Sequence, residues 1–488
     1  MARSRRLASL SYAVRLPVVG CYLGQLALAL AVLTLGPLIA AVLAGDAVMA
    51  WRLAAVAAVL AFGGSLAARI DEPRHLQANE ALVITALAFV LAPLAMTWPM
   101  MAADLGFIDA WFESVSAVTT TGLSTLASVE DKGSAFLFTR AWMQWYGGLG
   151  IVVLSLAILA NHATATRRLL GRDSGEELAT STRSHARRVL AVYLALTALG
   201  LVLLLGLGLA PFTALVHVLA AVSTGGFTTS DASLAGLVPV SARVALMGVA
   251  LLGAVSLPLY YRAVRGSWRD VVRDFELRGL LLLCLLISGA LAAALVTTAG
   301  WSWSQSLAAG ALNGVSAQTG SGFSSIDFAA VPDGVKGIAL AGMFVGGSIG
   351  STTGGIKLLR LLVLLRVLQL VIRRSALPRH AVADVRLGRR RLPDEDVLRA
   401  LLLIVMFVAV IALSWLAFLL AGHEPMNALF EVVSATCTVG LSTGIAGPDL
   451  DLSLKAVLIA DMLLGRVEFL ALLVILFPGT WIGHKVED

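Results

Sequence analysis

Apolar segments long enough to cross a bilayer recur along the chain, separated by short polar stretches rich in arginine. Two such segments come first, at about 16–43 and 49–68, and four pairs follow. The pairs lie at about 79–98 with 135–160, 187–209 with 240–262, 276–299 with 335–372, and 397–421 with 453–478. The weak alternation typical of an outer-membrane barrel is not visible, so these segments are predicted to be helices. The pattern predicts an all-α polytopic membrane protein with about ten transmembrane helices.

A short element that ends at a glycine lies between the two members of each pair. The first copy reads FESVSAVTTTGLST (112–125) and the last reads FEVVSATCTVGLST (430–443), with ten identities in register. Fainter copies read HVLAAVSTGGFTT (217–229) and NGVSAQTGSGFSS (313–325). The four copies align on Gly122, Gly226, Gly322 and Gly440, which are separated by 104, 96 and 118 residues. Unequal separations predict a pseudo-fourfold arrangement rather than a strict repeat.

The segment before each of these glycines is too short to span a membrane. These segments are Ile108–Val118, Pro211–Val222, Ser302–Ala317 and Pro425–Thr436. A helix of twelve residues is only about 18 Å long, so each segment is predicted to enter the membrane and return as a re-entrant loop. Pro211 and Pro425 occupy positions where helix starts favour proline.

This pattern divides the chain into five parts. They are two extra N-terminal helices over 1–75, and repeats 1 to 4 over 76–165, 183–266, 274–376 and 394–488. The N-terminus is basic and leads into apolar sequence, but the apolar run is too long for a signal peptide and lacks a convincing cleavage site. We therefore expect a retained first helix.

Composition and charge agree with a membrane protein. The 488 residues are 58% hydrophobic with a mean hydropathy of +0.89. The net charge of +6 comes from arginine clusters between apolar segments, which membrane topology explains better than nucleic-acid binding. The clusters alternate onto one side, predicted to be cytoplasmic together with both termini, so all four glycine elements enter from the outer face. The three cysteines form no CxxC pair and suggest neither disulfides nor zinc.

Four helices that point their C-termini at one axis would stabilise a cation there, because each end carries about half a negative charge. Backbone carbonyls that follow each helix would then be the ligands, and glycine permits the unusual dihedral angles this requires. We name the four segments 120–122, 224–226, 320–322 and 438–440 the filter segments. Close helix packing through small residues would explain one copy, but four copies in one register favour a cation site. The predicted ligands are Thr120, Thr121, Gly122, Thr224, Gly225, Gly226, Gly320, Ser321, Gly322, Thr438, Val439 and Gly440.

With these repeats the chain resembles the pore-forming subunit of the Trk/Ktr/HKT superfamily of potassium transporters over nearly its whole length. The two leading helices make it more similar to the bacterial Trk branch than to the Ktr branch. The resemblance implies K⁺ as the transported ion, a homodimer with one pore per monomer, and a place in the bacterial plasma (inner) membrane. It also implies a separate cytoplasmic, nucleotide-binding regulatory subunit with Rossmann-type domains. Glycine at all four filter positions is the pattern that the resemblance associates with potassium selectivity.

The segment 345–357, VGGSIGSTTGGIK, interrupts the predicted eighth helix and is named the intramembrane loop here. It lacks the lysine and hydroxyl ending of a phosphate-binding loop, and a kinked helix is the simpler alternative. The resemblance implies a flexible strip that blocks the pore beneath the filter. Its candidate gating residues are Gly346, Gly347, Gly350, Gly354 and Gly355.

Arg466 lies inside the predicted tenth helix, where a charge costs about 2.5–3.5 kcal/mol even on lenient scales. A salt bridge to Asp461 or Glu468 is one explanation. The resemblance implies another, a pore arginine that forms an electrostatic barrier to cations below the filter.

Other functions remain open at this point. A sodium-permeable or H⁺/Na⁺-coupled symporter is the main alternative. Glu113, Glu431 and His217 are interpreted as packing and hydrogen-bonding partners, with a proton relay as the alternative role. A membrane-embedded enzyme is remote, because no nucleophile accompanies Arg466. The basic loops at 161–188 and 373–399 are candidate docking sites for the regulatory subunit or for anionic lipid.

Overall fold

The computed structural model describes residues 13–70, 76–168, 175–266, 268–376, 384–387, 390–467 and 469–482. Arg3, Arg5 and Arg6 of the basic N-terminus, and Glu468, lie outside these residues. The all-α prediction is confirmed. The helices are α1 (Leu16–Leu43), α2 (Ala47–Ala67), α3 (Ala78–Met100), α4 (Phe107–Val118), α5 (Ser134–Arg168), α6 (Gly175–Gly206), α7 (Pro211–Val222), α8 (Val240–Ala254), α9 (Leu257–Arg265), α10 (Trp268–Val272), α11 (Phe275–Thr297), α12 (Trp303–Thr319), α13 (Asp333–Phe344), α14 (Leu358–Arg374), α15 (Asp394–Leu420), α16 (Pro425–Thr436), α17 (Leu452–Arg466) and α18 (Leu470–Leu476).

Within the described residues, extended pairing consists of a minimal hairpin between repeats 3 and 4 and one isolated parallel bridge between Val345 and Ile356. Strand β1 (Arg386–Leu387) pairs antiparallel with β2 (Arg390–Arg391).

The two N-terminal helices α1 and α2 form an antiparallel hairpin whose backbones touch. A Cβ atom on Gly24 would lie 2.7 Å from the Cβ of Ala67, and one on Gly64 would lie 2.8 Å from the carbonyl oxygen of Gly24. Small residues therefore set this helix separation. The hairpin is tied to repeat 1 because Trp142 Nε1 donates a 2.8 Å hydrogen bond to the carbonyl oxygen of Leu33.

The four short helices before the repeat glycines form as predicted. They are α4, α7, α12 and α16, and their bounds agree with the expected segments to within two residues. Proline begins α7 and α16, and the Glu424 side chain caps α16 by accepting bonds from the N–H groups of Met426 and Asn427. We name these four helices the pore helices. Their C-terminal turns are buried in the protein, as a re-entrant helix requires.

Three of the predicted spans are broken instead of continuous. Helices α8 and α9 meet at 89°, the intramembrane loop separates α13 from α14, and residues 467–469 separate α17 from α18. Phe469 takes a φ of 53°, which ends the helical path there. Among the described residues, six helices are therefore long and apolar enough to cross a membrane unbroken, and counting the bent α8–α9 pair gives seven. They are Leu16–Leu43, Ala47–Ala67, Ala78–Ala103, Ala186–Gly206, Phe275–Thr297 and Asp394–Leu420.

Glycines in the helix that follows each pore helix allow backbones to meet. A Cβ on Gly147 would lie 2.0 Å from the carbonyl oxygen of Val118, the last residue of α4. The same contact recurs between Gly465 and Thr436, at 1.7 Å from the carbonyl oxygen. These close approaches place the ends of α4 and α16 directly against the following helix of their own repeats.

Candidate functional site

The four filter segments form a closed ring. Each repeat glycine faces the carbonyl oxygen of the residue that precedes the glycine of the next repeat, and repeat 4 faces repeat 1. A Cβ on Gly122 would lie 2.2 Å from the carbonyl oxygen of Gly225, and one on Gly226 would lie 2.3 Å from that of Ser321. A Cβ on Gly322 would lie 2.1 Å from the carbonyl oxygen of Val439, and one on Gly440 would lie 2.1 Å from that of Thr121. All four glycines also have positive φ values, between 69° and 96°. Backbone angle and space therefore both exclude a side chain at these positions.

The residue two positions before each glycine is left-handed in every repeat. The φ values are 56° at Thr120, 53° at Thr224, 65° at Gly320 and 51° at Thr438. Threonine occupies this position in three repeats, and Gly320 replaces it in repeat 3. The structure shows that this position requires a positive φ in all four repeats, so glycine in repeat 3 preserves the backbone and loses only the hydroxyl.

The N–H groups after each left-handed residue bond back into the pore helix. The four hydrogen bonds run from the N–H of Thr121 to the carbonyl of Ser116, from Gly225 to Ala220, from Ser321 to Ser316 and from Val439 to Ser434, with lengths of 2.8–3.1 Å. This is the six-to-one bond of a helix C-terminal cap. Because the N–H groups turn toward the helix, the carbonyl groups of these residues are the ones presented to the ring.

Polar side chains of the pore helices hold the chain after each glycine. In repeat 1, Glu113 accepts bonds from the Thr125 N–H at 2.8 Å and from the Ser124 hydroxyl at 2.7 Å. Glu431 holds Ser442 and Thr443 in the same way in repeat 4. In repeat 3 the Asn313 Oδ1 atom accepts from Ser325 N–H and Ser324 Oγ, at 3.0 and 3.2 Å.

His217, at the same place in repeat 2, bonds instead to the carbonyl of Thr213 within its own helix. The pore-helix residues at this position therefore support the filter segments in three repeats. The interpretation of Glu113 and Glu431 as hydrogen-bonding partners fits these contacts.

The intramembrane loop lies directly beneath the filter segments. Thr352 Oγ1 is 3.3 Å from Thr224 Oγ1 and donates a 3.1 Å bond to the carbonyl oxygen of Val222. A Cβ on Gly354 would lie 1.9 Å from Thr438 Oγ1. The loop extends over 345–357 as irregular backbone, so the alternative of a simple helix kink is wrong.

The middle of this loop is fastened to two neighbouring elements. Gly350 O accepts a 3.0 Å bond from the N–H of Leu257, at the break between α8 and α9. Glu276, in the first turn of α11, accepts a 2.6 Å bond from the N–H of Ile349. The sequence analysis does not single out Glu276. Glu276 could have been identified from the sequence as an acidic residue at the start of a largely apolar helix.

Arg466 is the last residue of α17, at the break in the predicted tenth helix, and only 2% of it is exposed. Its Nη1 donates to the carbonyl oxygen of Thr352 at 2.8 Å, and its Nη2 to that of Gly147 at 3.4 Å. Asp461 instead accepts a 2.8 Å bond from Ser414. Among the residues that the structure describes, Arg466 forms no ion pair, so the salt bridge to Asp461 is not formed.

A buried ion pair stands behind the ring. Arg140 Nη2 lies 2.9 Å from Glu113 Oε2, and its guanidinium carbon lies 3.7 Å from the ring centroid of Phe227. Gln144, one turn further along α5, contacts Gly225 and Phe227. The sequence analysis assigned neither residue to the site. Both arise from helix α5 of repeat 1 and contact the filter chain of repeat 2.

Comparison with known proteins places this geometry in a family. A model of the TrkH family, described as a cation transport protein, matches residues 51–478. The chain is 32% identical to the Trk system potassium uptake protein TrkI of Halomonas elongata over 422 residues, covering 84% of this chain and 85% of that protein. It is 28% identical to the Trk system potassium uptake protein TrkH of Escherichia coli K12 over 432 residues, covering 84% and 87%.

A solved structure agrees. The crystal structure of the potassium transporter TrkH from Vibrio parahaemolyticus matches with a TM-score of 0.84 and 27% identity, over 96% of this chain and all of that chain. The family model covers most of the chain and the structural match covers nearly all of it, in accordance with the resemblance expected from the four repeats. The chain therefore belongs to the TrkH family of cation transport proteins.

Proposed function

We propose that this chain is the pore-forming subunit of a potassium uptake system in the bacterial plasma (inner) membrane. The ring of four repeat glycines carries the proposal, because it sets a backbone carbonyl oxygen of each repeat against the glycine of another repeat. The names of its relatives, potassium uptake proteins of the Trk system, point to the same ion.

In this proposal a dehydrated K⁺ ion exchanges its water ligands for backbone oxygens. The ligand groups belong to Thr120, Thr121, Gly122, Thr224, Gly225, Gly226, Gly320, Ser321, Gly322, Thr438, Val439 and Gly440. The pore helices add the negative ends of their dipoles below the ring. Within the described part of the chain, the buried hydroxyls of Thr120 and Thr438 have no hydrogen-bond partner, and they suit the innermost ligand positions.

The intramembrane loop and Arg466 form the proposed gate. The loop crosses the path beneath Thr224 and Thr438, and Arg466 adds a positive charge that opposes cation passage. The glycines Gly346, Gly347, Gly350, Gly354 and Gly355 let this loop pack against its neighbours. A Cβ on Gly346 would lie 1.9 Å from the carbonyl oxygen of Gly354, and one on Gly347 would lie 2.6 Å from that of Ala254.

The proposed assembly is a homodimer with one pore per chain. The domain boundaries are those of the sequence analysis, with two extra helices over 1–75 and repeats over 76–165, 183–266, 274–376 and 394–488. A cytoplasmic, nucleotide-binding subunit with Rossmann-type domains regulates it, and the basic stretches 161–188 and 373–399 face that subunit or anionic membrane lipid.

Rubidium and sodium uptake into liposomes that carry the purified protein tests the proposal. Rb⁺ replaces K⁺ as the tracer ion, and we expect Rb⁺ to enter much faster than Na⁺. Equal rates would favour the sodium-permeable alternative. Uptake of Rb⁺ that requires a proton or sodium gradient would favour a coupled symporter.

A further inference from the structure

Gln144 is fully buried in helix α5 of repeat 1, and its side-chain amide forms hydrogen bonds with the backbone around Gly226 in repeat 2. The Nε2 atom donates a hydrogen bond to the carbonyl oxygen of Gly225, and the Oε1 atom accepts one from the N–H of Phe227 at 3.3 Å. The amide therefore spans Gly226, one bond on each side of it. A Cβ on Gly225 would lie 2.4 Å from the Gln144 Cδ atom, which explains why repeat 2 has glycine at this position too.

Repeats 1 and 4 support the same stretch with a serine six residues before the glycine. Ser116 accepts the Gly122 N–H at 3.0 Å and donates to the carbonyl of Leu123 at 2.6 Å. Ser434 accepts the Gly440 N–H at 3.0 Å. These hydroxyls hold the repeat glycines from the pore-helix side.

Repeat 3 also has a serine at this position, but its Oγ atom contacts a neighbouring hydroxyl. Ser316 Oγ accepts a 3.3 Å hydrogen bond from Ser321 Oγ. Repeat 2 is the exception. It has Ala220 at the matching position, where no hydroxyl is available. The only side-chain amide in the described structure that bonds a filter-segment carbonyl is that of Gln144, and it does so in the repeat that lacks the serine.

We propose that Gln144 is a positioning residue for ion selection, which replaces the missing serine of repeat 2 and fixes the direction of the Gly225 carbonyl. This inference rests on the proposed function, since it concerns which ion the ring prefers. A carbonyl oxygen has two lone pairs, so Gly225 O can accept from Gln144 and still face a cation. The amide holds that oxygen at the distance set by the ring, and a smaller ion such as Na⁺ gains less from a carbonyl that is prevented from moving inward.

The test is the ratio of Rb⁺ to Na⁺ uptake in liposomes. Gln144→Met keeps the side-chain length and removes both hydrogen bonds. We expect the ratio of Rb⁺ to Na⁺ uptake to fall about fivefold, which is the equivalent of losing the one bond to the Gly225 carbonyl. Gln144→Asn, whose amide is one methylene short, should give the same fall if the Met variant does not fold. Gln25→Leu is the matched control, because Gln25 lies in α1 and contacts Cys21 rather than the ring. Its ratio should not change.

A rescue variant distinguishes a positioning role of Gln144 from a packing role. Adding Ala220→Ser to Gln144→Met supplies the hydroxyl that repeats 1 and 4 use, and we expect most of the lost ratio to return. An unchanged ratio in the folded Met and Asn variants, or no recovery in the double variant, would overturn the inference while leaving the proposed function intact. Wild-type protein that takes up Na⁺ as fast as Rb⁺ would contradict the proposed function and this inference with it.

Discussion

Arg466 donates a 2.8 Å hydrogen bond from Nη1 to the carbonyl oxygen of Thr352, and so ties the end of α17 to the intramembrane loop. The same loop residue touches Thr224 in the filter segment of repeat 2. Arg466 is therefore linked through Thr352 to the inner end of the ring. Removing either the charge or the tie should change how easily the loop moves.

Arg466→Ala should raise basal Rb⁺ flux in liposomes that contain no regulatory subunit. The substitution removes a buried positive charge and a charged hydrogen bond of about 1.5–3 kcal/mol, which corresponds to about tenfold or more in loop opening. Arg466→Lys keeps the charge but loses the two-pronged contact, so its flux should lie between those of the wild type and the Ala variant. A folded Ala variant with equal or lower flux would contradict the gating role.

Gly122→Ser should reduce discrimination between Rb⁺ and Na⁺. Its Cβ would lie 2.2 Å from the carbonyl oxygen of Gly225 at a φ of 89°, so the ring must widen or distort. Gly248→Ser in α8 is the matched control, because a Cβ there meets nothing within 4 Å. We expect the flux ratio to fall only in the Gly122 variant. Equal ratios in both variants would count against Gly122 as a ring residue.

Glu276→Ala should also raise basal flux, because it removes the hydrogen bond from the Ile349 N–H that holds the middle of the intramembrane loop. The lost bond involves a charged acceptor, so the expected increase is about tenfold. Glu395→Ala is the control, since Glu395 is likewise the second residue of its helix, α15, and is exposed. A Glu276 variant that folds and conducts like the control would show that this contact does not restrain the loop.

Arg140→Met should destabilise the protein by about 3–5 kcal/mol, because Glu113 would be left as a buried charge without its partner. Thermal unfolding in detergent measures the loss. The double variant Glu113→Gln with Arg140→Met removes both charges and should melt closer to the wild type. If the double variant were less stable than Arg140→Met, the ion pair would not be the source of the effect.

Much of the fold follows from local sequence patterns. The four pore helices, with Pro211 and Pro425 at their starts, lie where apolar segments too short to span a membrane predict them. The alignment of Gly122 with Gly440 likewise needs only the printed chain. Such features depend on neighbouring residues, and helix length, capping and backbone freedom are all local properties.

Contacts between distant residues could not be predicted in this way. Gln144 meets Gly225 across 81 positions and Arg466 meets Gly147 across 319, and no periodicity in the sequence links such pairs. The break after Arg466 and the positive φ of Gly320 also appear only in the folded chain. The sequence by itself determined four equivalent short helices, each followed within four residues by a repeat glycine. Only the tertiary structure decided that their carbonyls close into one ring and which side chains hold it, because ring closure depends on packing between repeats rather than within them.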